Sequence, residues 1–193
     1  MAEPVGGIQH LPRFFVKQRF TMMVNRYEVR GVNPDGTPGE LLAIAQQKRL
    51  AMKERVTFYA DEARTTPVFS FAARNILELA AVYDVFDAAG VQIGYFQKDF
   101  GASILRSSFH LGGPGIDAYG RERNELVAIL RRFIDFPFSF HFDFADKADG
   151  HLVMSSDRQF SLRDRYTVEV PDPRVDFRLA AAMAVGLDAL LSR

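Results

Sequence analysis

The chain reads as a mainly β (α+β) protein, a closed antiparallel β-barrel around a buried C-terminal hydrophobic helix, with one amphipathic helix inserted. Three observations predict this. From Leu179 to Leu191 the only polar residue is Asp188, and a helix apolar on all sides has no face for water. Short segments of alternating apolar and polar residues recur between Gly and Pro turns, as strands with one buried face do. Some of these segments also repeat one another. Closing such strands around the helix buries it and leaves no sheet edge open.

Length and composition narrow the class. The 193 residues suit one domain with a real core. Lys plus Arg and Asp plus Glu both number 24, so no global charge draws the chain to nucleic acid. With 18 Phe and no Trp, the core is expected to be built on Phe. The absence of Cys excludes disulfides, thiolate metal sites and a cysteine nucleophile, and fits a cytoplasmic protein. No basic segment followed by an apolar run opens the chain. Residues 1–12 are expected to be a flexible tail, and 13–193 a single barrel domain.

Taken in order, 13–20 (RFFVKQRF) and 26–31 (RYEVRG) read as strands, followed by the turn Asn33-Pro34-Asp35-Gly36. Residues 40–53 carry Ala, Leu, Gln and Lys, which favour helix, but their place in the repeat makes them strand. Strands 56–60 and 67–73 flank the acidic turn Asp61-Glu62. Residues 82–87 and 92–98 form a hairpin across Ala88-Ala89-Gly90, and 103–111 leads into the turn Gly112-Gly113-Pro114-Gly115. In 121–135, Leu126, Ile129, Leu130 and Phe133 fall at helical spacing, which predicts the inserted amphipathic helix. Residues 138–144 (FSFHFDF) alternate without a fault. Strands 151–155, 159–162 and 165–170 complete the wall. The central helix is expected over 173–192, with Asp172 as its cap and Pro173 in its first turn.

The repeat runs through this order. Tyr27-Glu28-Val29, Tyr83-Asp84-Val85 and Phe142-Asp143-Phe144 are each an aromatic–acid–apolar strand followed by a Gly turn, at Gly36, Gly90 and Gly150.

These residues resemble a known family. The run VYDVFDAAGVQIGYFQKDF (82–100), the earlier RYEVRGVNPDG and the terminal apolar helix look like the tubby C-terminal-like superfamily. Within it they are most similar to the LURP-one-related proteins and the phospholipid scramblases, over roughly residues 13 to 192. The resemblance implies a twelve-stranded antiparallel barrel threaded by the C-terminal helix, with 121–135 as an insertion. Tubby proteins are phosphoinositide-binding modules, whereas scramblases respond to calcium and have a terminal helix proposed to span the membrane. Neither the tubby lipid motif nor the scramblase calcium segment matches this chain residue by residue, so no family residue is carried over.

The chemistry is weighed residue by residue. His10, His110, His141 and His151 show no HxH, HxxxH or HExxH spacing and read as structural. Asp143, Asp146 and Asp149 form an acidic loop, the weak calcium candidates. Their spacing of three and the missing closing Glu favour a solvated turn instead. There is no GxSxG, and GGPG lacks a following Lys-Ser or Lys-Thr, so neither a nucleophile elbow nor a phosphate loop is present. No enzyme activity, cofactor or catalytic residue is expected. The best candidate is basic. Lys48, Arg49, Lys53 and Arg55 crowd together, Lys98 and Arg106 fall at related positions on a neighbouring hairpin, and Lys17 and Arg19 lie in the first strand. Sharing one barrel end or face, they would bind a phosphorylated headgroup; the competing reading is a solvated, charge-interspersed face. Arg121, Arg123, Arg131 and Arg132 also give the inserted helix a basic side.

The expected function is a non-enzymatic module recognising anionic phospholipid headgroups, cytoplasmic and peripheral at a membrane surface, with no nucleic-acid partner. The alternatives are a protein-interaction scaffold without a small ligand and a scramblase-like protein with the terminal helix inserted. The uninterrupted apolar run is short of the roughly 20 residues a membrane span needs.

Overall fold

The computed structural model describes residues 9–20, 24–48, 55–75, 82–99, 108–123, 141–159 and 165–191. The strands are β1 (Arg13–Phe20), β2 (Val24–Val32), β3 (Pro38–Lys48), β4 (Val56–Tyr59), β5 (Pro67–Ala73) and β6 (Val82–Asp87). They continue as β7 (Gln92–Asp99), β8 (Ser108–Gly113), β9 (Ile116–Glu122), β10 (His141–Asp146), β11 (Leu152–Gln159) and β12 (Arg165–Glu169), and a helix, α1 (Phe177–Leu191), ends the chain. Each strand pairs antiparallel with the next, and β12 returns to β1, closing a twelve-stranded barrel. Connections therefore alternate between the two ends. One, the turn end, carries the short turns such as 88–91 and 114–115; the other, the rim, carries the β3–β4 and β9–β10 connections.

Helix α1 fills the barrel. Phe177 through Asp188 are buried, and Phe14, Phe58, Phe69, Phe71, Phe96, Phe109, Phe142 and Phe144 point inward around them. The helix runs from turn end to rim: Leu179 lies against Gly94 and Gly113, while Lys98 reaches the Leu190 carbonyl. Small residues permit the close approach. A Cβ on Gly186 would lie 2.6 Å from the Phe96 ring, and one on Gly94 would lie 2.8 Å from the Leu179 side chain.

The three repeats fall in β2, β6 and β10, every fourth strand of the barrel. In each, the aromatic and apolar members are in the core and the acid faces outward to an Arg. Glu28 meets Arg19 and Arg30, Asp84 meets Arg74, and Asp143 meets Arg123.

Several expectations need correcting. The central helix starts at Phe177, not Pro173. Its cap is Asp176, whose Oδ1 accepts from the Arg178 N–H at 2.9 Å; Asp172 instead accepts from the Arg174 N–H in the preceding turn. The inserted helix cannot begin at 121, because Arg121 and Glu122 belong to β9 and Glu122 pairs with Phe142; residues 124–135 lie outside the described residues. Strand β9 itself was missed. Its inward members Ile116, Ala118 and Gly120 are small or follow a Gly-rich turn, and Gly120 leaves room for the Phe144 ring. The expected strands 151–155 and 159–162 are one strand through Gln159. Residues 9–12, expected in the tail, are tied to the barrel: the Gln9 carbonyl accepts from Phe177, the Gln9 N–H donates to Asp176, and the Pro12 carbonyl accepts from Val170; residues 1–8 lie outside the described residues.

Candidate functional site

Of the predicted basic positions, the described ones, Lys48, Arg55 and Lys98, lie toward one end of the barrel. Lys48 closes β3, its backbone paired with Val24. Arg49, Lys53 and Arg106 lie outside the described residues. Arg55 stands just before β4 on the outer wall. It donates to the Ser70 hydroxyl at 2.8 Å, and its guanidinium lies 4.6 Å over the Phe86 ring. Lys98 points inward and donates to the Leu190 carbonyl at 3.3 Å, a cation set against the negative end of α1.

The three aspartates of the acidic loop are likewise separated. Asp143 accepts from Arg123 Nε at 2.8 Å, Asp146 from Arg174 at 3.0 Å, and Asp149 is paired with His151. A different trio converges at the turn end. Ligand-type atoms of Asp146, His151 and Asp172 lie within 4.8 Å of one another. Their common centre is already filled, because Arg174 Nη2 is 3.0 Å from Asp146, 3.2 Å from His151 and 2.6 Å from Asp172. A metal ion there would have to displace a guanidinium that neutralises the same carboxylates. Asp172 is held well below the usual carboxylate range, first by its hydrogen bonds from Arg174 and then by His151. His151 is pushed up by Asp172 and then Asp149, one at each ring nitrogen. The cluster joins the β10–β11 turn to the lead-in of α1.

Inside the barrel, Asp188 accepts hydrogen bonds from Tyr27 at 2.9 Å and from Tyr166. Burial and then the Asp188 charge drive the Tyr27 hydroxyl far above its ordinary range, so it remains a donor. Two open grooves lie on the outside. One of about 590 Å³ is lined by Tyr119, Arg121, Asp143, Ala145, Asp146 and Lys147. The other, of about 410 Å³, lies beside the Arg174 cluster.

Among the described residues, a second basic surface is one that sequence reasoning caught only in part. The outer face of β12, β1 and β2 carries Arg165, Arg13, Lys17, Arg19, Arg26 and Arg30. Glu28, only 1 % exposed, lies beneath them: Oε1 is ion-paired with Arg19 Nε at 3.0 Å, and Oε2 accepts from Arg30 Nε at 3.1 Å. Arg26 Nε stands 3.9 Å from the same carboxylate, and its Nη2 pairs with Glu62 at 2.9 Å. Arg165 covers the Phe15 ring at 4.9 Å. The signal was available as basic residues an even number apart, Lys17 and Arg19, then Arg26 and Arg30, which alternation sends to one face.

Comparison with known proteins adds one match. The family model described as LURP-one-related matches residues 42–188, from within β3 to near the end of α1. No curated protein and no solved structure matches the chain.

Proposed function

This chain belongs to the LURP-one-related family of the tubby-like superfamily, and from that premise we propose that it is a non-enzymatic binding module for anionic phospholipid headgroups, peripheral at a membrane surface. Tubby-like barrels are generally non-catalytic. The observation that carries the reading is strand polarity. Lys48 at the end of β3 and Arg55 just before β4 lie toward the rim, where Lys98 near the end of β7 turns inward; the proposal adds Arg49, Lys53 and Arg106, their neighbours in sequence, to that end. Cations gathered at one end of a neutral molecule can face an anionic surface, at about 1 kcal/mol per basic residue near it.

Helix α1 has no part in this binding. It is enclosed by the wall through Asp188, and no helix among the described residues is long and apolar enough to cross a membrane. That removes support from the alternative in which this helix inserts.

Vesicle flotation tests the proposal, using neutral, phosphatidylserine and phosphoinositide liposomes at low and physiological salt. Phosphoinositide-dependent binding is expected to survive physiological salt and to fall at least about tenfold in a Lys48→Ala/Arg49→Ala/Lys53→Ala variant. Binding lost at physiological salt would mark diffuse attraction. A variant that floats as well as the parent would remove the rim from the account.

A further inference from the structure

We infer that the outer face of β12, β1 and β2, which reaches the rim at Arg19 and Arg26, is a binding site for a phosphomonoester group. Arg19 and Arg26 are its principal ligands, and Glu28 is the residue that positions them. Among the described residues six cations, Arg13, Lys17, Arg19, Arg26, Arg30 and Arg165, share this face with three carboxylates, Glu28, Glu62 and Glu169. The register makes this more than a count. Arg19 sits directly opposite Arg26, and Lys17 directly opposite Arg165. Like charges at directly opposed strand positions destabilise a sheet. Lys17 is answered by Glu28 on its other side, so the Arg19–Arg26 pair is the one that breaks this local rule of the fold, as binding sites do.

Glu28 offsets part of this repulsion and sets the geometry. Three guanidiniums turn their Nε edges toward one carboxylate, at 3.0, 3.1 and 3.9 Å. That leaves the Nη edges for other partners. Arg30 spends one on the Gly39 carbonyl and Arg26 one on exposed Glu62. Among the described residues Arg19 pairs with Glu28 alone, and its side chain is 51 % exposed. Arg26 Nε is buried without a hydrogen-bond partner. A dianionic phosphate set between Arg19 and Arg26 supplies the missing negative charge and accepts from both forks, which match phosphate oxygens in planar, two-point fashion. Arg19, Arg26 and Arg30 precede residues 42–188, which the family model matches.

The shared chemistry is a phosphate monoester, free in solution or on a lipid headgroup. Titration calorimetry with inositol hexakisphosphate at physiological salt is the first arm, and flotation on phosphoinositide vesicles the second. Arg19→Lys keeps the charge and loses the fork, and is expected to weaken hexakisphosphate binding at least about tenfold. Glu28→Gln raises the net positive charge by one, yet is expected to weaken binding because the guanidiniums lose their organiser. Diffuse attraction predicts the opposite sign for Glu28→Gln and no change for Arg19→Lys. If Arg19→Lys also abolishes flotation, the phosphate is a lipid's; if only the calorimetric signal falls, it is a soluble ester. No hexakisphosphate binding, or binding insensitive to Arg19→Lys in both arms, overturns the inference. The Lys48/Arg49/Lys53 variant separates the two sites. It should retain hexakisphosphate binding, and loss of flotation in that variant, with Arg19→Lys changing neither arm, would leave the rim proposal standing while this one fails.

Discussion

At the scale of the residue, His151 shows how far charge chemistry depends on contacts that no short motif records. Its Nδ1 faces Asp149 and its Nε2 faces Asp172, with Arg174 Nη2 3.2 Å away. The carboxylates outweigh the guanidinium, so the folded pKa lies above the ordinary value of about 6.5. A raised folded pKa means a stabilising contribution that is complete below about 6.5 and fades as pH rises through the folded value. Asp172 and Asp149, both lowered, are ionised throughout that window and add no slope of their own. The melting temperature of the parent should therefore fall, relative to a His151→Gln variant, as pH rises from 6 to 8. Parallel melting curves at every pH would show that the imidazolium is not held in solution. The sequence could not show this cluster, because Asp146, His151 and Asp172 come from a turn and a helix lead-in that only the fold brings together. Arg19 was legible as a basic residue, but its charged neighbour across the strand gap was not.

At the scale of the element, most strands were readable because alternation reports one buried face directly, as in β10 and β12. The failures share a physical origin. Strand β9 alternates with Ala118 and Gly120 inward, so its buried face carries little hydrophobic signal. Those positions are small because Phe144 fills the space from the neighbouring strand. The helix start was misplaced because two Asp residues each precede plausible first turns, and only Asp176 also holds Arg178 and the Gln9 N–H. A similar size match governs the helix–wall contact at Gly186. Alanine there gains about 1 kcal/mol of helix propensity. Its Cβ would nevertheless lie 2.6 Å from a Phe96 ring that is stacked on Tyr83. Overpacking a filled core costs about 1–3 kcal/mol, and with Phe96 confined on both sides the clash should win. Urea unfolding of Gly186→Ala is expected to show a net loss of about 1 kcal/mol, with unchanged slope. A gain would mean that Phe96 has room to turn away.

At the scale of the whole molecule, the barrel is a consecutive meander that must close between its first and last strands. Eleven of its twelve contacts join neighbours in sequence, and β1 to β12 joins the two ends of the wall. That contact closes the longest loop, so it carries the largest entropic cost. The chain puts its buried polar network at this place. Asp188, on α1, binds Tyr27 on β2 and Tyr166 on β12, the two strands that flank β1. The only polar residue of the apolar stretch, visible from the start, thus ties the central helix to both sides of the seam. Removing the carboxylate leaves two buried hydroxyls without their acceptor, at about 1–3 kcal/mol each. Asp188→Ala should therefore lose about 3 kcal/mol of stability, and Asp188→Asn less, since its carbonyl still accepts. Because helix and wall share one core, far-ultraviolet and near-ultraviolet signals should still fall together in a single transition. Amide exchange in Asp188→Ala should accelerate first at the β1–β12 pairs, Phe14↔Val168 and Val16↔Tyr166. Uniform acceleration around the wall would mean that Asp188 supports the core as a whole and holds no particular seam.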